Sequence, residues 1–350
     1  MKTLPENIYE KRLGGCTLGG ALSVTAFIND AVTVIHAPSG CSHQIFSMLH
    51  ALTQSSGIIL KNPVISSDLT DKDVIFGGEE TLSKALDAAA EKNPALIIAA
   101  TSCVPETIGD DSEMVCRTHP ASAKILYLPT SGFLGGSSED GENIALEALS
   151  TLAPVKDIEP RTAVLIGEKN LETEVEENYA EISRLLARLN IRIILRFCRN
   201  ISAADIEKLG QAALFIVRDK RVLRAGKNIA ERFSRPFIPE FPRGFSGSIQ
   251  FIRDAGKACG ISDEEIEAAV EKEKIYQKKM LEPFAELRGT SVYLGAEPLA
   301  GTFALARKAM QLLGITESPK GLPVKLPFYL PVGVSGMVKM LYLWRRQNRK

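Results

Sequence analysis

The chain has 350 residues, of which 45% are hydrophobic and 24% are charged, and its formal net charge is zero. This composition is ordinary for a globular protein, and the length is enough for two or three domains. The balanced charge argues against a protein that binds nucleic acid through a basic surface.

Membrane insertion and secretion are not expected from the sequence. No run of residues approaches the ~18 apolar positions that a membrane span needs, and the start, Met1–Glu6, has no apolar stretch typical of a signal peptide. We therefore expect a cytoplasmic protein. In that reducing compartment the six cysteines favour metal or redox roles over disulfides.

The first third of the chain alternates between apolar strands and amphipathic helices, after an irregular arm predicted for residues 1–15. Apolar runs predict the strands and 3.6-residue periodicity predicts the helices. The predicted elements are helix 17–30, strand Val32–His36, helix Ser42–Leu52, helix Glu79–Glu91, strand 95–100, strand Lys124–Leu128 and helix Glu142–Leu152.

Three cysteines in this region each lie in a turn beside glycine or proline. Cys16 follows a glycine pair, Cys41 follows the turn Pro38–Gly40, and Cys103 follows a strand. The carboxyl ends of strands meet at one edge of a parallel sheet, so these cysteines can converge. Thiolates suit soft metals and iron–sulfur clusters, although a free cysteine is more often simply buried.

After a proline-containing linker, Ala153–Arg161, strands and helices alternate again up to about residue 240. The predicted elements are strand Ala163–Ile166, helix Glu174–Leu189, strand Arg192–Phe197, helix Ala203–Leu209, strand Ala213–Val217, helix Lys220–Phe233 and the short strand Pro236–Pro239. Regular alternation of this kind predicts a parallel sheet covered by helices on both faces. Two charged or amphipathic helices (246–259 and 262–287), a strand (Ser291–Leu294), a helix (Pro298–Leu313) and a last helix (Val334–Arg346) follow. The fold class expected is therefore α/β, with consecutive Rossmann-like, doubly wound parallel-sheet domains.

Four motifs in order resemble the nitrogenase component 1 family, which includes nitrogenase subunits, a cofactor-assembly scaffold and tetrapyrrole reductases. They are a cysteine followed by Gly-Ala in Cys16–Ala21, the turn His36–Cys41, the Phe-Gly-Gly segment with its helix in Asp73–Leu82, and Cys103–Asp111 with its Ile-Gly-Asp-Asp ending. We read the paired Asp110 and Asp111 as capping or solvated residues.

The resemblance implies an iron–sulfur cluster, either [4Fe-4S] or a larger P-cluster-like one, held by metal ligands Cys16, Cys41 and Cys103. Backbone donors at Gly15, Gly40 and Gly132 would complete the cofactor-binding set and tune its potential. In one subunit of the family a serine of the loop near Gly132 also ligates the cluster. Here glycine stands at that position with Ser131 beside it, so the fourth ligand stays open, and the catalytic residues are unknown.

The resemblance also implies partners. These are a second component 1 subunit, forming a homodimer, heterodimer or heterotetramer, and an ATPase reductase of the iron-protein type that delivers electrons for a small-molecule substrate. This chain has no GxxxxGK[ST] loop, so we expect no ATP site within it.

By the same resemblance the domains are 1–155 (cluster-binding), 160–288 (second Rossmann-like) and 289–350 (a shortened third with a C-terminal helix). The cysteine that anchors the large nitrogenase cofactor has no counterpart at Arg218-Asp219, and all four histidines lie in the first third. Such a cofactor held by Cys and His is therefore not expected. The other cysteines, Cys116, Cys198 and Cys259, read as structural.

Two alternatives to a redox enzyme subunit stay open. One is a non-catalytic cofactor-assembly scaffold with the same fold and cluster. The other is an α/β protein that binds a phosphate-bearing small molecule at the glycine-rich segment 15–20, although no strand precedes that segment as a dinucleotide site requires.

Overall fold

The computed structural model describes residues 15–56, 59–133, 135–172, 174–298, 301–327 and 331–348. The arm predicted for residues 1–15 lies outside these ranges except for Gly15. Contacts divide the chain into two compact units. The first contains Met1–Glu159, Val164–Thr173 and Ile194–Pro239, and the second contains Pro160–Ala163, Glu174–Ile193 and Glu240–Lys350.

The first unit contains a four-stranded parallel sheet in the order β2-β1-β3-β4. Its strands are β1 (Ala31–His36), β2 (Val64–Ser66), β3 (Leu96–Thr101) and β4 (Lys124–Leu128). Every residue of β1 and β3 is buried. Strands of a parallel sheet that are covered on both faces are expected to be apolar throughout, which explains the apolar runs in the sequence.

Helices connect and cover these strands. They are α1 (Thr17–Thr25), α2 (Ser39–Ser56), α3 (Asp71–Phe76), α4 (Glu79–Ala90), α5 (Cys103–Ile108), α6 (Ser112–Thr118) and α7 (Ser138–Ser150). The last begins four residues before the predicted start because Ser137 caps it. The Ser137 hydroxyl accepts from the Asp140 amide, and the Asp140 carboxylate accepts from the Ser137 amide at 2.8 Å.

The helices α1 and α7 touch backbone to backbone through two glycines. A Cβ added to Gly20 would overlap the carbonyl of Ser138, and a Cβ added to Gly141 would overlap the carbonyl of Thr17. Only glycine allows this approach, because any side chain would push the two backbones apart. The start of α1, where Cys16 lies, is therefore positioned directly by α7.

Substituting Gly20 by alanine is expected to lower the free energy of unfolding by about 1–3 kcal/mol, because the added methyl group must displace backbone. Gly247→Ala is a matched control, since its Cβ would meet the Pro242 backbone at an ordinary 3.6 Å. Thermal unfolding should show a lower midpoint for the first variant only. Equal midpoints would contradict the close packing.

A second four-stranded sheet has the order β6-β5-β7-β8, and β7 and β8 pair in parallel. Its strands are β5 (Thr162–Ile166), β6 (Arg192–Phe197), β7 (Leu214–Val217) and β8 (Phe237–Ile238). The connecting elements are α8 (Val175–Ala187), 3-10 helices at Ala203–Gln211 and Lys220–Val222, and α9 (Leu223–Phe233). The α-helix predicted over Ala203–Leu209 is thus a 3-10 helix. The parallel sheets with intervening helices confirm the predicted α/β class.

The second unit contains a three-stranded parallel sheet in the order β10-β9-β11. Its remaining elements are α10 (Gly244–Ala258), α11 (Asp263–Leu281), a 3-10 helix (Glu282–Leu287), β9 (Ser291–Tyr293), α12 (Thr302–Leu313), β10 (Thr316–Glu317), β11 (Leu322–Pro323) and α13 (Gly333–Asn348). Trp344 of α13 is fully buried in the apolar core of this unit, and its indole N–H donates to the Lys325 carbonyl at 3.1 Å.

A buried ion network joins α8 to α11 inside the second unit. The Glu273 carboxylate is completely buried and accepts from the Arg184 guanidinium at 2.6 and 2.9 Å and from Arg188 Nε at 3.3 Å. Arg184 also pairs with Glu181 and lies over the Tyr276 ring at 4.2 Å. The network satisfies charges that would otherwise be costly to bury.

None of the helices in the part of the chain that the structure describes is both long and apolar enough to cross a membrane.

Candidate functional site

The carboxyl ends of β1 and β3 form the crevice in which parallel α/β sheets usually bind ligands. In the order β2-β1-β3-β4 the chain leaves β1 toward one side and β3 toward the other, so the crevice opens between these two strands. The amide of Ser102 donates to the His36 carbonyl at 3.0 Å, which holds the two strand ends together. Cys41 follows one end and Cys103 follows the other.

Each of the three predicted cysteines lies at the start of a helix. Cys16 is exposed at the N-cap of α1, where its Sγ accepts from the Gly19 amide at 3.3 Å. Cys41 lies in the first turn of α2 and Cys103 begins α5, and both are half-buried. Burial raises the pKa of the Cys41 thiol, and the neighbouring Cys103 and Cys16 raise it further. Cys41 therefore lies within electrostatic reach of the other two.

The chemistry of this donor set fits an iron–sulfur cluster. Cysteine thiolates are the ligands that iron–sulfur clusters use, and mutual repulsion of neighbouring thiolates would be relieved by bound iron. Within the described ranges, no group of three His, Cys, Asp or Glu side chains is arranged to hold a single metal ion. A cluster spreads its ligands over several iron atoms, so its ligands need not converge on one point.

The three predicted glycines have different surroundings. Gly15 has a φ of +106°, and its carbonyl accepts from the Ser138 amide at 3.0 Å. Gly40 is exposed, and a Cβ there would meet no atom within 4 Å. Gly132 packs on the Thr17 hydroxyl, which a Cβ would approach to 2.8 Å. Gly132 is thus sterically restricted, while the space beside Gly40 is open.

A buried histidine network at the same edge was not foreseen from the sequence. The ring of His36 contacts Ser67 Oγ through Nδ1 at 3.0 Å and Asp110 Oδ2 through Nε2 at 3.4 Å. Both carboxylate oxygens of Asp110 accept from the Gly78 amide at 3.1 Å. Burial lowers the pKa of His36, while Asp110 opposes that shift. Asp110 therefore connects residues from three of the sequence motifs. These motifs are far apart in the sequence, so the contact can be recognised only from the structure.

Its neighbour Asp111 has the predicted capping role, because its carboxylate accepts from the Met114 amide at 3.0 Å at the start of α6. The remaining cysteines lie in apolar surroundings. Burial raises the pKa of Cys116 to about 12 and that of Cys259 to about 11, and it raises that of the fully buried Cys198 well above the ordinary value.

The equivalent edge of the second sheet carries ion pairs. Lys169, after β5, contacts Asp219, after β7, at 2.8 Å. Lys169 and Arg218 also lie 3.8 and 3.5 Å from Glu172. Arg196 donates to both oxygens of Glu168 at 2.8 Å. The turn Arg218-Asp219, where the large nitrogenase cofactor would be anchored, is thus occupied by paired charges.

Glu142 on α7 has the most perturbed carboxylate near these ion pairs. Burial raises its pKa from 4.5 to about 7; Asp219, Glu139 and Glu172 raise it further, while Arg221 opposes the shift. Between pH 4.5 and 7 the unfolded chain loses this proton while the folded chain keeps it. The free energy of unfolding therefore falls as the pH rises through this window.

Glu142→Gln is expected to remove that penalty and to raise the free energy of unfolding by about 2 kcal/mol at pH 8, with little change at pH 4.5. Urea unfolding followed by circular dichroism at both pH values measures the effect. Glu80→Gln, at an exposed position, is the control and should show no such pH dependence. A gain that is equal at both pH values would contradict the titration of Glu142.

The fold is that of an α/β protein with consecutive parallel sheets, and two of the three candidate cysteines, Cys41 and Cys103, follow the central strands of the first sheet. A model of the family described as nitrogenase component 1 type oxidoreductase matches residues 16–316, and the chain belongs to this family. The resemblance seen in the sequence motifs is thereby confirmed.

Relatives include nitrogenase iron-molybdenum cofactor biosynthesis proteins NifE. The protein from a Nostoc species is 28% identical over 267 residues, covering 74% of this chain and 54% of the relative. That from Clostridium pasteurianum is 31% identical over 229 residues, covering 64% and 49%. The nitrogenase molybdenum-iron protein alpha chain of Methanothermococcus thermolithotrophicus is 24% identical over 314 residues, covering 84% and 64%.

The solved structure of nitrogenase Cp1 at pH 5 superposes with a TM-score of 0.64 at 22% identity. The superposed region covers 91% of this chain and 65% of the nitrogenase Cp1 chain. This likeness concerns the fold. The chain spans about half to two thirds of the length of these relatives.

Proposed function

We propose that this chain is an iron–sulfur subunit of a nitrogenase-like oxidoreductase, and that Cys16, Cys41 and Cys103 hold its cluster. The observation that supports this most is the placement of these cysteines at the starts of α1, α2 and α5, with the Cys41 thiol within electrostatic reach of the other two. Such a cluster, [4Fe-4S] or larger, supplies one-electron transfer when bound. The thiolates set its net charge, and backbone donors at Gly15, Gly40 and Gly132 adjust its potential.

A partner subunit next to this site completes the proposal. The short helix α3 exposes Ile75 by 73% and Phe76 by 79%, and it packs against α5, which begins at Cys103. Large apolar side chains exposed together are typical of an interface. We infer that a second component 1 subunit, identical or related, covers this surface and supplies the cluster's missing fourth ligand.

Electrons would come from an ATP-hydrolysing reductase of the iron-protein type, because this sequence has no phosphate-binding loop of its own. They would pass to a small-molecule substrate held by the assembly. The substrate and the acid–base residues of the reaction are left open.

The test is iron and acid-labile sulfide per chain in protein purified without oxygen, with an electron paramagnetic resonance spectrum after dithionite reduction. We expect stoichiometric iron and sulfide and a reducible cluster signal. Protein without both after reconstitution would overturn the proposal.

A second candidate is a scaffold that holds a cofactor precursor for transfer rather than turning over a substrate. The similarity to the NifE relatives favours it, because these are nitrogenase iron-molybdenum cofactor biosynthesis proteins. Incubating the loaded protein with a reductase partner and with an apo acceptor protein separates the two. Repeated substrate reduction indicates the enzyme, while loss of bound metal to the acceptor without turnover indicates the scaffold.

A further inference from the structure

Two buried hydroxyl groups, each on a residue adjacent in sequence to one of the three cysteines, lack a hydrogen-bond partner among the described residues. Thr17, directly after Cys16, is 1% exposed, and Ser102, directly before Cys103, is 3% exposed. Neither hydroxyl has a partner among the described residues. A buried hydroxyl without a partner is unfavourable, so each such group calls for an explanation.

Local structure does not use these hydroxyls. Ser102 lies at the N-cap of α5, where a serine commonly accepts from a backbone amide, yet its side chain makes no capping bond. Ser137 and Ser202, at equivalent positions of their helices, both make that bond. The Ser102 amide donates to the His36 carbonyl, so the backbone has a hydrogen-bond partner, while the side-chain hydroxyl has none among the described residues.

The Thr17 hydroxyl lies against the glycine turn that follows β4. A Cβ on Gly132 would come within 2.8 Å of this oxygen, and one on Gly136 would overlap it. The amide of Gly136 is already used by the Gly132 carbonyl at 3.1 Å. The hydroxyl is therefore enclosed between this turn and the start of α1, where Cys16 is the N-cap residue.

We propose that the Thr17 and Ser102 hydroxyls donate hydrogen bonds to sulfur atoms of the group held by Cys16, Cys41 and Cys103. This inference rests on the proposed iron–sulfur function. Cluster sulfides and cysteine thiolates accept such bonds, which stabilise the more negative, reduced cluster and raise its reduction potential. Thr17 and Ser102 thus act as positioning and tuning residues rather than ligands.

The chain offers matched controls of the same chemistry. Thr25 at the end of α1 and Ser112 at the start of α6 are also buried, with hydroxyls that lack a partner among the described residues. Neither adjoins one of the three cysteines in the sequence. Thr25→Val and Ser112→Ala therefore remove an equally buried hydroxyl away from the thiols.

The experiment is a redox titration of the loaded protein, monitored by electron paramagnetic resonance, with iron measured in each sample. Thr17→Val and Ser102→Ala are expected to keep their iron and to shift the midpoint potential to more negative values. Thr17→Ser should restore it, and the two controls should match the wild type. Unchanged potentials in both test variants, or equal shifts in the controls, would overturn the proposal.

Pulsed resonance of the wild type exchanged into D2O gives a second, independent readout. We expect couplings from exchangeable hydroxyl deuterons at the cluster that are absent from Thr17→Val and Ser102→Ala. A loaded wild type without such couplings overturns the proposal, even if the variants fail to fold. A wild type that binds no iron overturns the proposed function and this inference with it, so the two failures are distinguishable.

Discussion

Replacing Cys41 or Cys103 by alanine is expected to remove most of the iron and sulfide that the chain binds. Each supplies a half-buried thiol at the end of a central strand, and the other thiols cannot move to replace it because their positions are fixed by α1, α2 and the sheet. A cluster held by two protein thiols in place of three should be lost during purification.

Cys259→Ala is the matched control, because that thiol lies at the end of α10 in the second unit. Its iron and sulfide should equal those of the wild type. Circular dichroism of all three variants checks that they fold. Equal retention of iron in all three would contradict the ligand assignment.

Replacing Glu273 by alanine is expected to lower the free energy of unfolding of the second unit by about 3–5 kcal/mol. The substitution removes the buried carboxylate that pairs with both Arg184 and Arg188, while Glu181 stays beside Arg184. The two guanidinium groups are largely buried, so their positive charge is then poorly compensated. Such unbalanced buried charge is among the most destabilising changes that a single substitution can make.

The single tryptophan makes this measurement specific to the second unit, because Trp344 is buried in its core. Guanidinium unfolding followed by tryptophan fluorescence should show the lower midpoint. Glu271→Ala, on the same helix at an exposed ion pair with Lys274, should leave the midpoint unchanged. Equal effects of the two variants would show that the buried network contributes no more than a surface pair.

The sequence predicted the elements whose signal is local and strong. The strands over Lys124–Leu128 and Arg192–Phe197 have the predicted bounds, because short runs rich in apolar residues indicate strands. The short strand β2 and the helix α3 were not predicted. Both are brief and lack fully buried residues, so their pattern carries little information.

The helix predicted over residues 17–30 is wrong at its end, since α1 stops at Thr25. Phe27 and Ile28 continue the apolar pattern, but Ile28 forms a bridge with Ile201 instead of another helical turn. A distant partner thus determines the conformation, and periodicity alone cannot detect it.

The candidate site, like the secondary structure, was predictable only in part. The carboxyl ends of parallel strands lie at one edge of a sheet, so the predicted parallel sheet already indicated that Cys41 and Cys103 can lie near each other. The link from Asp110 to His36 and Gly78 did not follow, because it joins residues from three separate segments of the chain. The sequence likewise could not show that the hydroxyls of Thr17 and Ser102 lack a hydrogen-bond partner, because recognising this requires the positions of the surrounding atoms.

The glycine contact between α1 and α7 has a mechanical consequence. Where two helices meet through side chains, rotamer changes can absorb a small sliding motion. At Gly20 and Gly141 the backbones themselves are in contact, so that compliance is missing. A displacement of α7 must carry the start of α1 with it. We therefore expect the loop that leads into α7 and the thiol of Cys16 to move together.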